Sequence, residues 1–116
     1  FAEKNTYSVA IWVGGIVDCL ARLKTGELAI IDFKSSKAVY FNHVVQAGGY
    51  AIQVEESGYG NADGSDWRVL SQPISALVVF PFGGSKPEKF TNVEGFKDVF
   101  RHMAAVYPML LAFKNR

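Results

Sequence analysis

The stretch from Ile16 to Lys34 constrains this chain most. Two apolar segments, Ile16–Leu23 and Leu28–Lys34, flank Lys24-Thr25-Gly26, and each carries an acid among residues suited to a core. A three-residue connection with glycine in the left-handed position is a common hairpin loop, so the two segments are predicted to be antiparallel neighbours. Closing the loop at Gly26 sets Leu23 opposite Glu27, and counting back along the ladder sets Asp18 opposite Asp32. Directly opposed residues share a face with Cβ atoms about 5 Å apart. Two bare carboxylates there repel each other. A divalent cation between them reverses the sign, and magnesium prefers hard carboxylate oxygens. The alternative is a structural salt bridge from Asp32 to Lys34 or Lys37, which leaves Asp18 without a reason.

The rest of the chain supplies a frame for that hairpin. Tyr7–Trp12 is rich in aromatic and β-branched residues and reads as a strand that ends at Gly14-Gly15. Asn42 is the predicted cap of a helix running to Ser57 and stopped by Gly58. Gly48-Gly49 inside it costs about 1 kcal/mol per glycine relative to alanine. This implies either close packing on another backbone or a weak helix. Residues Ser57–Asp66 read as a loop. The nearly continuous apolar run Ile74–Phe80 reads as a central strand buried on both faces, as Leu28–Lys34 does apart from its charged end. Thr91 and Glu94 form a capping box for a last helix, whose apolar stripe runs from Phe96 to Leu111 and which Pro108 should kink or interrupt. With 116 residues and 49% hydrophobic content, the chain suits one domain over residues 1–116. The predicted class is α+β (mixed α/β), a central mixed sheet flanked by helices.

Side chains two apart on a strand share a face, so Asp32 and Lys34 project together. With a metal on the carboxylates, the Lys34 ammonium suits orienting a water or stabilising charge on a phosphate, which favours phosphodiester hydrolysis. No serine or cysteine nucleophile with an evident base supports acyl transfer, and Cys19 should point into the core. His43, Gln46, Tyr50 and Gln53 form a stripe at helical spacing that can flank the same site. For His43 and Gln53 alone, a solvated helix face explains as much. Asn61–Asp66 has oxygen ligands, but its glycine is misplaced for a calcium-binding EF-hand loop, and it reads as an exposed turn. His102 reads as an ordinary helix residue. One cysteine excludes a disulfide framework or a cysteine-based metal cage. The net charge of +1 gives no sign of a nucleic-acid partner by itself, but it is a sum over the surface. Arg22, Lys24, Lys34, Lys37, Arg68, Lys86 and Lys89 are candidates for a local basic track, with Lys37 assigned to substrate.

Taken together, Gly15-Ile16-Val17-Asp18, Asp32-Phe33-Lys34 and Gln46-Ala47-Gly48-Gly49-Tyr50 resemble the motif series of the PD-(D/E)XK nuclease superfamily, in its RecB-like and phage-type exonuclease branch. The resemblance covers residues 15–50. It implies a restriction-endonuclease-like core and a magnesium- or manganese-dependent DNA nuclease, an exonuclease of recombination, repair or phage replication. By it, Asp18, Asp32 and the backbone carbonyl of Phe33 are metal ligands, and Lys34 is the catalytic lysine. Gln46 and Tyr50 shape the site or touch the DNA, and Glu3 lies where some relatives carry an acid on the first strand. The family's helix before that strand is expected to be absent from this chain. That suggests a fragment of a longer protein, with a partner domain or subunit supplying the missing part. The alternative is a nuclease-fold module that binds DNA or a partner protein without cutting. No membrane segment is expected, and the implied location is cytoplasmic, in a bacterium or phage-encoded.

Overall fold

In the computed structural model, residues 2–8, 13–61, 63–83 and 86–114 are described, without the side chains of residues 2–8, 13–16, 110, 111 and 114. The elements run β1 (Ala2–Ser8), β2 (Val13–Arg22), β3 (Leu28–Lys34), α1 (Phe41–Ser57), β4 (Ala76–Pro81), β5 (Glu88–Phe90) and α2 (Val93–Lys114). This is a mixed α/β domain.

The hairpin forms in the predicted register. Leu20 stands opposite Ile30 and Cys19 opposite Ile31. At the turn, the Leu23 amide donates to the Glu27 carbonyl at 2.8 Å. Gly26 takes φ +90°, a region closed to most side chains. β2 begins earlier than expected, because Gly14 and Gly15 pair with Tyr7 and Thr6 of β1 instead of ending a strand. The first strand is correspondingly Ala2–Ser8, and residues 9–12 of the expected strand lie outside the described residues.

The sheet order is β1-β2-β3-β4-β5. Only the β3–β4 pair is parallel, and a parallel pair needs a crossover, which α1 provides. β4 is therefore next to the edge and not central. Leu77 and Val79 are fully buried on its α1 side, whereas Phe80 on the other face is exposed. β3 is likewise two-sided, with Ile30 buried and Phe33 exposed. β5, a three-residue strand, has no apolar alternation to announce it in Glu88-Lys89-Phe90.

α1 lies between the sheet and α2. Val44, Ala47, Ala51 and Val54 join Leu20, Leu28, Ile30, Leu77 and Val79 in the core. Tyr40, not Asn42, precedes the helix in extended backbone, and its amide donates to His43 Nδ1 at 3.3 Å. Gly58 closes the helix as expected, its amide on the Val54 carbonyl at 2.9 Å. The glycine pair marks close packing: a Cβ on Gly48 would fall 2.9 Å from the Phe96 carbonyl carbon, and one on Gly49 2.4 Å from the Phe100 ring. The backbone of Phe96 cannot step aside as a ring can. Gly48→Ala should therefore destabilise, because overpacking costs about 1–3 kcal/mol against a propensity gain of about 1 kcal/mol. A lower urea midpoint with an unchanged slope is the expected result.

On α2, Lys97 is buried and ion-paired with Glu55 of α1 and Glu94 of its own first turn. Asn92, not Thr91, caps this helix, its Oδ1 accepting the Gly95 amide at 3.3 Å. The helix runs through Pro108 instead of breaking there. Proline at 108 deprives the Ala104 carbonyl of its helical donor; Ala104 is partly exposed, and residues 105–109 beyond it are exposed. The predicted apolar stripe is core only at its start: Met103, Val106 and Tyr107 are exposed.

Candidate active site

The β2–β3 ladder opens beside Asp18. In an antiparallel pair, residues that exchange both backbone bonds alternate with residues that exchange none. From Leu23 and Glu27 that alternation leads to Val17 and Phe33, but the paired register stops at Cys19 and Ile31. The Phe33 amide donates instead to Asp18 Oδ2 at 3.0 Å. The acid thus takes the place of a backbone acceptor and is held in the gap, near enough to Asp32 to raise that carboxyl. A strand residue turns its N–H and C=O to the same side, so the Phe33 carbonyl also faces the Asp18 side.

Asp32 is only 2% exposed. Its Oδ2 is enclosed and makes no hydrogen bond of acceptable geometry, although the Lys34 Nζ stands 3.1 Å away. Burial, and then the neighbouring Asp18, push the Asp32 carboxyl up to about 6, and Lys34 offsets only part of this. Like-charged carboxyls in contact cannot both ionise freely.

α1 supplies the other wall. Lys34 Nζ donates to Gln46 Oε1 at 2.5 Å, and Gln46 Nε2 donates to the Tyr50 hydroxyl at 3.3 Å. Tyr50 is half-buried, and burial followed by the charges of Asp32 and Asp18 holds its hydroxyl above the usual tyrosine range, so it stays neutral. Burial and the nearby Lys34 ammonium lower the His43 imidazole, whose Nδ1 is already engaged by the Tyr40 amide. Gln46 and Tyr50 therefore line one site with Asp18, Asp32 and Lys34, and His43 stands within electrostatic reach of Lys34. Gln53 does not follow the stripe into solvent: it is 3% exposed, buried within the fold.

No family model and no curated protein match this chain. The reading of the site rests on its own chemistry.

The donor set fits a small divalent cation. It offers hard carboxylate and carbonyl oxygens, one of them buried without a hydrogen bond, in a place where two negative charges meet. Among the described residues, no three His, Cys, Asp or Glu side chains gather in a group able to hold a metal. The side chain of Glu3 lies outside the described residues. Its backbone falls opposite Asp18, between the pairs Ala2–Cys19 and Lys4–Val17.

Other expectations resolve differently. The ion pair of Asp32 goes to Lys34, while Lys37 lies exposed on the segment after β3. Cys19 is partly exposed and not a core residue. In the 61–66 turn, Asp63 Oδ1 accepts the Ser65 amide and hydroxyl at 2.9 and 2.6 Å, so that oxygen braces the turn itself. His102 is exposed. No helix among the described residues is long and apolar enough to cross a membrane. The bond between the Phe33 amide and Asp18 was not predicted. Its signal is the ladder alternation, which points the Phe33 amide at β2 exactly where an acid sits one residue away.

Proposed function

We propose that this chain carries the core of a metal-dependent deoxyribonuclease of the PD-(D/E)XK type, acting as an exonuclease of the RecB-like kind in recombination, repair or phage replication. One observation carries the reading: Asp18 and Asp32 meet at an opened ladder with the Lys34 ammonium 3.1 Å from an enclosed Asp32 oxygen. Structural roles give the lysine to Asp32 and the Phe33 amide to Asp18, but they do not explain why both acids are set beside one enclosed oxygen that has no hydrogen bond.

Asp18, Asp32 and the Phe33 carbonyl would hold magnesium or manganese. When bound, such an ion supplies a water of lowered pKa and offsets charge on a phosphate oxygen. Lys34 stands where it can orient that water or meet the charge that grows on the phosphate. Gln46 holds the ammonium from the α1 side, so it does not collapse wholly onto Asp32. Tyr50, kept neutral, covers the carboxylates from the same helix and can donate to a DNA phosphate. DNA is the partner this arrangement suits, with Lys37 on its path.

The test is cleavage of linear and circular DNA with magnesium or manganese, and with EDTA. The expected result is degradation that needs the metal, prefers linear DNA and stops in EDTA. Equal degradation in EDTA would falsify the metal reading. Metal binding by calorimetry without cleavage under any condition points instead to a nuclease-fold module that binds without cutting.

A further inference from the structure

Three phenylalanines stand in the open at the end of the sheet nearest this site. Alternation along β3 puts Phe33 on the face opposite Asp32 and Lys34. Its parallel neighbour on β4 is Phe80, and Phe82, two residues on, shares that face. The rings touch: centroids are 5.9 Å apart for Phe33 and Phe80 and 5.5 Å for each of the other pairs. Phe33 and Phe82 lie within 4° of parallel. The three residues are nonetheless 38%, 36% and 66% exposed in that order. Towards the other end of the same face Ala29 and Ala76 are fully buried, so the exposure is local to the site's end.

Backbone bonds tie these rings to the site. The Phe33 amide is the one held by Asp18, and the Phe82 amide donates to the Lys34 carbonyl at 2.8 Å. The turn after Phe82 rests on the segment beyond the lysine: the Gly83 amide donates to the Ser36 carbonyl at 3.0 Å. A Cβ on Gly83 would fall 2.8 Å from the Lys37 Cα, so no larger residue fits this contact. It sets the backbone of the exposed Lys37 against Gly83, the residue after Phe82.

We infer that Phe33, Phe80 and Phe82 form a stacking platform for unpaired bases of a single-stranded DNA segment that passes around the ends of β3 and β4, with Lys37 meeting its phosphates. The occupant follows from the nuclease reading, on which this proposal rests, and from the pairing of bare aromatic faces with a cation. Every base offers a π-face, so stacking on aromatic rings holds single strands without regard to sequence. Bases inside a duplex are already stacked and gain little from such a surface. An exonuclease that handles frayed or unwound ends gains a place to hold the displaced bases.

Binding of a labelled oligothymidylate in EDTA, against a chain of equal length with abasic positions, separates stacking from phosphate attraction. The abasic chain should bind about tenfold more weakly or worse, since each missing base removes a stacking contact. Phe82→Ala should weaken the oligothymidylate by about fivefold or more, and Phe82→Trp should restore it. An unfolding curve run beside each variant guards against a folding defect, which the exposure of Phe82 makes small. Equal affinity for the two chains overturns the platform. So does self-association of the parent that Phe82→Ala abolishes, because the rings are then covered by a second copy. Magnesium-dependent cleavage by the parent, measured on blunt duplex in parallel, keeps the two readings apart. Cleavage without base-dependent binding overturns the platform alone. Base-dependent binding without cleavage leaves the platform standing and overturns the nuclease.

Discussion

Asp32→Asn should abolish metal-dependent DNA cleavage and, at the same time, stabilise the metal-free protein at pH 7. The first effect follows from losing a charged ligand at the reacting centre. Several kcal/mol of transition-state stabilisation depend on the ion, and each 1.36 kcal/mol is tenfold, so a loss of about 10³-fold or more is expected. The second follows from linkage. The Asp32 carboxyl is raised from 3.8 to about 6 in the folded chain, chiefly by burial and then by Asp18. The folded state therefore holds this proton more tightly than the unfolded state does. Stability falls as pH rises from about 4 to about 6 and stays lowered above that. A shift of about two units sets an upper bound of about 3 kcal/mol on the cost. Asparagine keeps the shape and removes the charge. In EDTA its unfolding free energy should match or exceed that of the parent at pH 7, and the gap should close towards pH 4. A structural Asp32–Lys34 salt bridge predicts the reverse, a variant that is weaker at pH 7. Urea titrations at the two pH values decide between them.

How much of this was legible beforehand depended on whether a local rule or a distant partner decided the outcome. The hairpin was legible because a three-residue loop with glycine in its third position sets the register by itself, and that register, carried one step past Cys19 and Ile31, aims Asp18 at Asp32. The bounds of β3 and the glycine stop of α1 were legible for the same reason. The first strand starts earlier than expected, because the pairing of Ala2–Ser8 with β2 is a contact that no local pattern reveals; residues 9–12 of the expected strand lie outside the described residues. Helix starts were misplaced by one or two residues, since adjacent positions offer competing local caps: Asn92 accepts the Gly95 amide, and the Tyr40 amide donates to His43. The stripe on α2 followed helical spacing, yet spacing cannot tell which turns meet α1 and which run beyond it. In the site, the side chains and the Phe33 carbonyl were named from the sequence, but the amides that hold the side chains were not. The Phe33 amide and the Tyr40 amide have no residue-type signature, although the first fixes Asp18 of the motif series and the second fixes His43 of the helix stripe.

Lys34→Met is the second large effect, and it separates chemistry from architecture at the same carboxylate. On the proposed reading the ammonium acts on the water or the phosphate, and removing one such donor costs about 10²–10³-fold in rate. Metal affinity should hold or rise, because the variant takes away a cation that stands 3.1 Å from Asp32 Oδ2. Stability should move little at neutral pH. The lysine side chain is 24% exposed, so its pairing with Asp32 is partly screened by water, and the thioether stem can still lie against α1. In EDTA the sign is fixed by the neighbours: without the ammonium, burial and Asp18 act on Asp32 unopposed, and its proton is held to higher pH than in the parent. Lys34→Arg should recover part of the rate, since it keeps the charge but not the compact donor that fits against Gln46. Single-turnover cleavage at saturating manganese reads the rate, and calorimetry of the metal-free protein reads the affinity. A variant that binds manganese as well as the parent and cleaves a hundredfold more slowly assigns Lys34 to the chemical step. A variant that cleaves at the parent rate reduces Lys34 to a counter-ion of Asp32 and removes it from the mechanism.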